Sequence, residues 1–415
     1  MKLRNLFLVG LAAMAMASCS NENDPIENGG NGEKNATVQF SLSFPTATMT
    51  KATEEGLSTE QEFTKLDFYI KYAGNTQKES FNKSDFEPNA DGKTFTLKKT
   101  ITANAENGVT YYVVMNPDKA GISSENPTFT ETVDGGYTNS LDALLENIAK
   151  SNEFVMTGSA TGNIIAGQVN DVKVNVSRVA AKLKEETPTT AFAVVNNSQA
   201  VTASDGAALN MKFEKYTFAN LNTQANLFGN DPVTTSTYFQ ALTADGFASF
   251  ANYNSKAIAT PGNDINITYC MANAATTPTK VIYQATALWD TETEGKSFYV
   301  YEGTAYRTFE ALNTAYTSAD LSAYPISLSD ASTAAEFAAF NIAKYQDGKC
   351  YYIQDIKTSG SIAKIDRNNV YKLKVKSVAN WGIPEVVPVT PTIPTLLTLE
   401  VTQDEWTINV NEFEL

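Results

Sequence analysis

Residues 35–44, NATVQFSLSF, set Ala36, Val38, Phe40, Leu42 and Phe44 at every second position. Alternation at period two is the mark of a strand that buries one face and leaves the other to solvent. A helix would scatter the same side chains around its circumference, so this end of the chain is a strand. The far end repeats the device: WTINVNEFEL sets Trp406, Ile408 and Val410 against Thr407, Asn409 and Asn411. A strand needs a partner, and two apolar strands at opposite ends of one chain pose the question of where each pairs.

The stretch between them is written in the same style. Runs such as FTKLDFYIKY, NGVTYYVVMNP, ALNMKFEKYTFANL, KVIYQATALWD and NNVYKLKVKSV are rich in β-branched and aromatic residues and bounded by turn residues. The segment FEPNADGKTFTLKKTI is expected to be a hairpin turning at Asp91-Gly92. The same turn brushes a calcium-loop pattern, but Lys98 stands where an EF-hand needs its chelating glutamate. SLDALLENIAK is the expected short helix, and residues 306–348 an excursion that is partly helical.

The expected fold class is all-β: two β-sandwich-like domains, 35–185 and 186–380, the division marked by TPTT at 187–190. Around them lie a signal segment (1–18), an acidic Gly/Asn-rich tether (19–34) and a C-terminal extension (381–415). That extension sets Pro384, Pro388, Pro391 and Pro394 ahead of the terminal strand, which makes an extended, semi-rigid spacer. Along that strand Leu397, Leu399 and Val401 share one phase, the phase slips near Asp404-Glu405, and Trp406 begins a second run. A bulge, or a crossing between two strand segments, is the expected cause.

Function classes narrow quickly. The chain has no histidine, which removes Ser-His-Asp and Cys-His catalysis and histidine-ligated metals together. A formal charge of −15 argues against a nucleic-acid partner. Nothing convergent suggests an enzyme or a cofactor. Lys2 and Arg4 followed by an apolar run from Leu6 to Ala17 form a secretory signal too short to stay in a bilayer. It closes on MASC, which resembles the lipobox of bacterial lipoproteins with Met16 where leucine is usual, and makes Cys19 the expected lipidated residue. Cys270 and Cys350 then remain as an even pair in an oxidising compartment; a disulfide and two separate buried thiols both fit.

Taken in order, the lipobox, NATVQFSLSF, VTYYVVMNP, VSRVAAKL, KCYYIQDI, DRNNVYKLKVKSV with GIP behind it, and the closing W…EFEL resemble the fimbrillin family of Bacteroidota type V pili. The likeness spans most of the chain and is strongest to the short-fimbria shaft subunit. It implies transthyretin-like sandwich domains and a role as a structural subunit. It also implies a route: export as a lipoprotein to the outer membrane, removal of the first strand by a surface trypsin-like protease, and filling of the vacated groove by the C-terminal strand of the next subunit. That is β-strand addition, and a head-to-tail contact that never closes gives a filament. Identical subunits would be the main partners, with accessory anchor and tip subunits at the ends.

On this chain the displaced strand would carry Ala36, Val38, Phe40, Leu42 and Phe44. The donor would carry Leu397, Leu399, Val401, Trp406, Ile408, Val410, Phe413 and Leu415. Relatives are cut after arginine; here the one basic residue between Asn35 and Thr64 is Lys51, so the expected cut lies between Lys51 and Ala52. The competing reading is a monomeric surface lipoprotein that binds a glycan or a protein, with aromatics at Tyr301–Tyr306 or Trp289 as its platform, or a tip or anchor subunit of the same pilus. An alternating terminal strand also has a plain explanation, which is that it completes its own sheet.

Overall fold

The computed structural model describes residues 34–44, 52–122, 127–137, 140–234, 237–239, 255–259, 266–316, 328–358, 364–385 and 397–407. Among them the regular structure is almost wholly strand, as expected, and the fold class is all-β.

Two five-stranded sheets enclose the first core. One runs in the order Val169–Asn175, Ala36–Ser43, Thr94–Leu97, Phe86–Pro88, with Ile101–Ala103 also paired to Ala36–Ser43. The other runs Ser177–Arg178, Met156–Ile164, Glu106–Met115, Lys65–Lys71, Thr76–Asn82. Alternation sends Val38, Phe40 and Leu42 inward to meet Phe68, Tyr111 and Val113, all of them buried. Phe40 stacks on Phe68 with ring centroids 4.2 Å apart. The hairpin at Asp91-Gly92 forms as expected between Phe86–Pro88 and Thr94–Leu97. Gly92 supplies the left-handed φ of 64° that the turn requires. The Asp91 carboxylate accepts the Thr94 hydroxyl and the backbone N–H groups of Lys93 and Thr94, which holds its pKa down to about 2. This carboxylate caps a turn.

Two further sheets enclose the second core. The third runs Thr53–Glu55, Leu397–Thr407, Asn369–Val378, Ala181–Glu185, Ile267–Cys270. The fourth runs Ala191–Ala193, Leu209–Ala219, Lys280–Trp289, Lys349–Asp355. Leu183, Tyr371, Leu373 and Val375 face Met211, Phe213, Tyr283 and Ala285 across it. The excursion between them forms a three-stranded sheet of Phe298–Tyr301, Thr304–Tyr306 and Ala343–Tyr345, with helices Phe309–Ala315 and Ala334–Ala338.

Two expectations need correction. The division at 185/186 does not follow the sheets: Ala181–Glu185 lies inside the third sheet, between Ile267–Cys270 and Asn369–Val378. The halves also exchange strands, since Gln224–Asn226 pairs with Thr132–Asp134 and puts Ala225 and Leu227 into the first core. The helix expected in SLDALLENIAK is a single 3-10 turn, Ala143–Glu146. Its apolar residues are drawn to different cores, Leu141 to the second and Leu144 and Ile148 to the first, so no one helix face could serve them. Of the two readings left open for Cys270 and Cys350, the structure shows separate buried thiols, on strands of different sheets on either side of the second core. Burial raises both thiol pKa values and keeps them unreactive.

Candidate functional site

The first strand occupies the middle of its sheet. Thr37–Ser43 runs parallel to Val169–Asn175 along seven residues, while its other edge pairs with Ile101–Ala103 and Thr94–Thr96. Val38, Phe40 and Leu42 are wholly buried, and Ala36 and Phe44 nearly so. Side-chain hydrogen bonds to it are few and neutral: Gln39 Nε2 donates to Leu97 O at 2.7 Å and Thr37 Oγ1 to Gln168 O at 3.1 Å. The slot therefore recognises a backbone ladder and a row of apolar side chains, which any well-matched alternating strand can offer. An empty slot would expose two unpaired strand edges and an apolar trough.

The terminal strand does not stand free. Of the strand Leu397–Thr407, residues 397–405 pair antiparallel with Asn369–Val378. Leu397 is buried in the second core and Leu399 and Val401 pack against it, so these expected donor residues are housed in their own chain. Trp406 is fully buried too, but in the other core, beside Val370 and Tyr269. The two runs are thus opposite faces of one continuous strand that serve different cores. No bulge interrupts the terminal strand at Asp404-Glu405; the one register shift lies on its partner, between Val375 and Ser377.

The socket of Trp406 is assembled from distant segments. Its ring lies 5.9 Å from that of Tyr269, stacked, and 5.8 Å from that of Phe154, edge-on. The Arg178 guanidinium sits 4.3 Å and the Lys182 ammonium 4.6 Å from the indole centroid, a double cation–π contact out of water. Between them Glu60 is completely buried. Its carboxylate takes Trp406 Nε1–H at 3.2 Å, Lys182 Nζ at 2.7 Å, Leu57 N–H at 2.7 Å and the Tyr269 hydroxyl. Arg178 Nε donates to Glu60 O at 2.9 Å and Nη1 to Trp406 O at 3.1 Å. Burial pulls the Arg178 pKa down to about 10 and lowers that of Lys182, with Glu60 opposing both.

Arg367 closes the socket from behind. Its buried guanidinium donates to the carbonyls of Arg178, Leu227, Gly229 and Ser177 and to Thr157 Oγ1, five hydrogen bonds between 2.8 and 3.2 Å. Asn368, at φ 55°, turns the chain into the next strand and donates from Nδ2 to Trp406 O at 3.2 Å. Two motifs singled out in the sequence, VSRVAAKL and RNNVY, therefore meet here and join the sandwiches.

One more strand belongs to the site. Thr53–Glu55, just beyond the expected cut, runs parallel to Glu405–Thr407. Ala52 O accepts Glu405 N–H at 2.9 Å, and Gly56 N–H donates to Thr407 O at 2.8 Å. Lys372 Nζ bridges the two strands, 2.8 Å from Glu54 and 2.7 Å from Asp404. Burial alone would lower the Lys372 pKa, but the two carboxylates outweigh it and the pKa is raised.

Cys19, Lys51, Ile408, Val410, Phe413 and Leu415 lie outside the described residues. The alternative aromatic platform is weakened at two members, because Trp289 is buried in the second core and Tyr306 in the small core of the excursion. Tyr301 is half-buried, edge-on to Tyr316 with centroids 4.5 Å apart. Sequence reasoning missed Glu60 entirely, since it sits in a polar loop without periodicity. Arg178 and Lys182 did leave a signal: both are charges inside an otherwise apolar run.

No protein-family model matches this chain, and no curated protein does. Solved structures do resemble it. A candidate cell adhesion protein of Parabacteroides distasonis ATCC 8503 superposes with a TM-score of 0.50 at 12% identity, over 89% of this chain and 99% of that one. A candidate cell adhesion protein of Bacteroides eggerthii DSM 20697 gives 0.48 at 15% identity, over 91% and 99%. The C-terminally truncated tip fimbrial protein Mfa3 of Porphyromonas gingivalis gives 0.41 at 11%, over 89% and 100%. At 12% identity the likeness to the Parabacteroides protein is one of fold.

Proposed function

We propose that this chain is a structural shaft subunit of a cell-surface fimbria, exported as a lipoprotein through Cys19 and cut between Lys51 and Ala52. Its first strand then gives way to the C-terminal strand of the next copy. The observation that carries the reading is the first strand itself: central in its sheet, its apolar face buried, and followed in the chain by the segment that holds Lys51. Refilling its slot with about five apolar side chains returns roughly 1.5–3 kcal/mol each before ordering costs. The structure of similar fold at a TM-score of 0.50 bears the name of a cell adhesion protein, which suits a cell-surface role.

The housing of Trp406 favours a second reading, a monomeric surface adhesin whose terminal strand serves only its own fold. N-terminal sequencing of sheared surface material separates the two. Large polymers whose chains begin at Ala52 support the fimbrial reading. Large polymers that begin at lipidated Cys19 would sink the cleavage route, and material that stays monomeric favours the adhesin.

A further inference from the structure

We infer that residues 52–56 are a latch on the terminal strand, and that cleavage ahead of Ala52 is what opens it. This rests on the fimbrial reading and adds a regulation to it. The terminal strand can fill a neighbour's slot only after leaving its own sheet, and the short strand Thr53–Glu55 covers its last three described residues.

The latch has one ladder partner, the terminal strand, and lies at the edge of the sheet. Three residues at an edge make a marginal strand, so its position depends on Glu54, paired with Lys372 at 2.8 Å and Lys184 at 3.5 Å, and on its two flanks. Downstream it is fixed by Gly56 and the turn Ser58–Glu60, whose Glu60 is locked to Lys182 and Trp406. Upstream, eight residues separate Thr53 from Phe44, at the end of the buried first strand. The uncut chain therefore holds the latch from both sides.

A cut between Lys51 and Ala52 removes the upstream hold. It also leaves a charged α-ammonium on Ala52, the residue whose carbonyl takes Glu405 N–H. A hydrated charge at a strand end favours fraying, and fraying strips the Glu405–Thr407 edge. Gly56 shows how closely the parts fit: a Cβ there would meet Arg178 Nη2 at 2.7 Å, Trp406 Nε1 at 3.0 Å and Thr407 O at 3.2 Å. The same proteolytic event thus empties one slot and loosens the strand that must fill another, which keeps uncut precursors from joining.

The test uses the full chain with residues 46–51 replaced by the recognition sequence of a site-specific protease. Hydrogen exchange is read on monomer fractions before and after the cut, and filament growth separately by electron microscopy. Protection of 397–407 should fall at least tenfold on cutting, while Lys280–Trp289 keeps its protection. Gly56→Ala should loosen the same segment in the uncut chain. Equal protection of 397–407 in cut and uncut monomers overturns the latch. Loosening without filaments leaves the latch standing and sinks the fimbrial reading; filaments without loosening of the monomer do the reverse.

Discussion

At the scale of single residues, the molecule's most consequential side chain is Trp406, because it holds a charged cluster in balance. Glu60, Lys182 and Arg178 are all buried, and each is tolerable there only through the others and the indole. Trp406→Ala should cost about 3–5 kcal/mol from lost packing alone. Urea unfolding checks this; Trp381, half-buried beside the second core, provides the milder comparison. Glu185 sets a pH dependence. Burial raises its pKa from 4.5 to about 7, against the opposing Thr187 hydroxyl. The unfolded chain releases this proton first, so the stability it contributes is complete below pH 4.5 and is lost as pH rises to about 7. Glu185→Gln should flatten stability across that window, measured as the urea midpoint against pH. Neither role was legible in the sequence. Burial of a glutamate is decided by which loop or strand it is folded against, and no local pattern records that.

At the scale of elements, alternation told the truth about strands and less about their addresses. Residues 36–44 were legible because a single core takes every second side chain. Leu42→Asp should accordingly cost several kcal/mol and abolish soluble precursor. Ser41→Asp, on the half-exposed face, should stay within about 0.5 kcal/mol of the parent. Equal losses from the two would mean that both faces are buried. The terminal strand was read correctly as a strand, yet its phase change looked like a break because one strand was assumed to serve one core. It serves two, Leu397 in one and Trp406 in the other. The expected helix at 140–150 failed for the same reason, its apolar residues being divided between cores. Periodicity measures how many faces a segment has to bury; it cannot say how many bodies share them.

At the scale of the whole molecule, the two sandwiches are tied by elements lying far apart in the chain: Thr53–Glu55 on Leu397–Thr407, Gln224–Asn226 on Thr132–Asp134, and Arg367 reaching back to Thr157 and Ser177. Removing the end of the chain is therefore not one experiment but two. Deletion of 397–415 strips the eleven paired residues Leu397–Thr407 from the third sheet, empties the Trp406 socket and leaves the Glu60 cluster open to water. That chain should unfold at markedly lower urea and lose cooperativity between the halves. Truncation after Thr407 spares the ladder and the socket, so the uncut monomer should keep its urea midpoint. It removes Ile408, Val410, Phe413 and Leu415, however, and leaves the donor with the apolar residues that its own fold already uses. On the proposed fimbrial reading the full chain, once cut, should grow filaments, and this shortened chain should stay monomeric by light scattering under the same conditions. Filaments of normal length from it would remove residues 408–415 from the joint and return the whole donor role to the strand that Trp406 anchors.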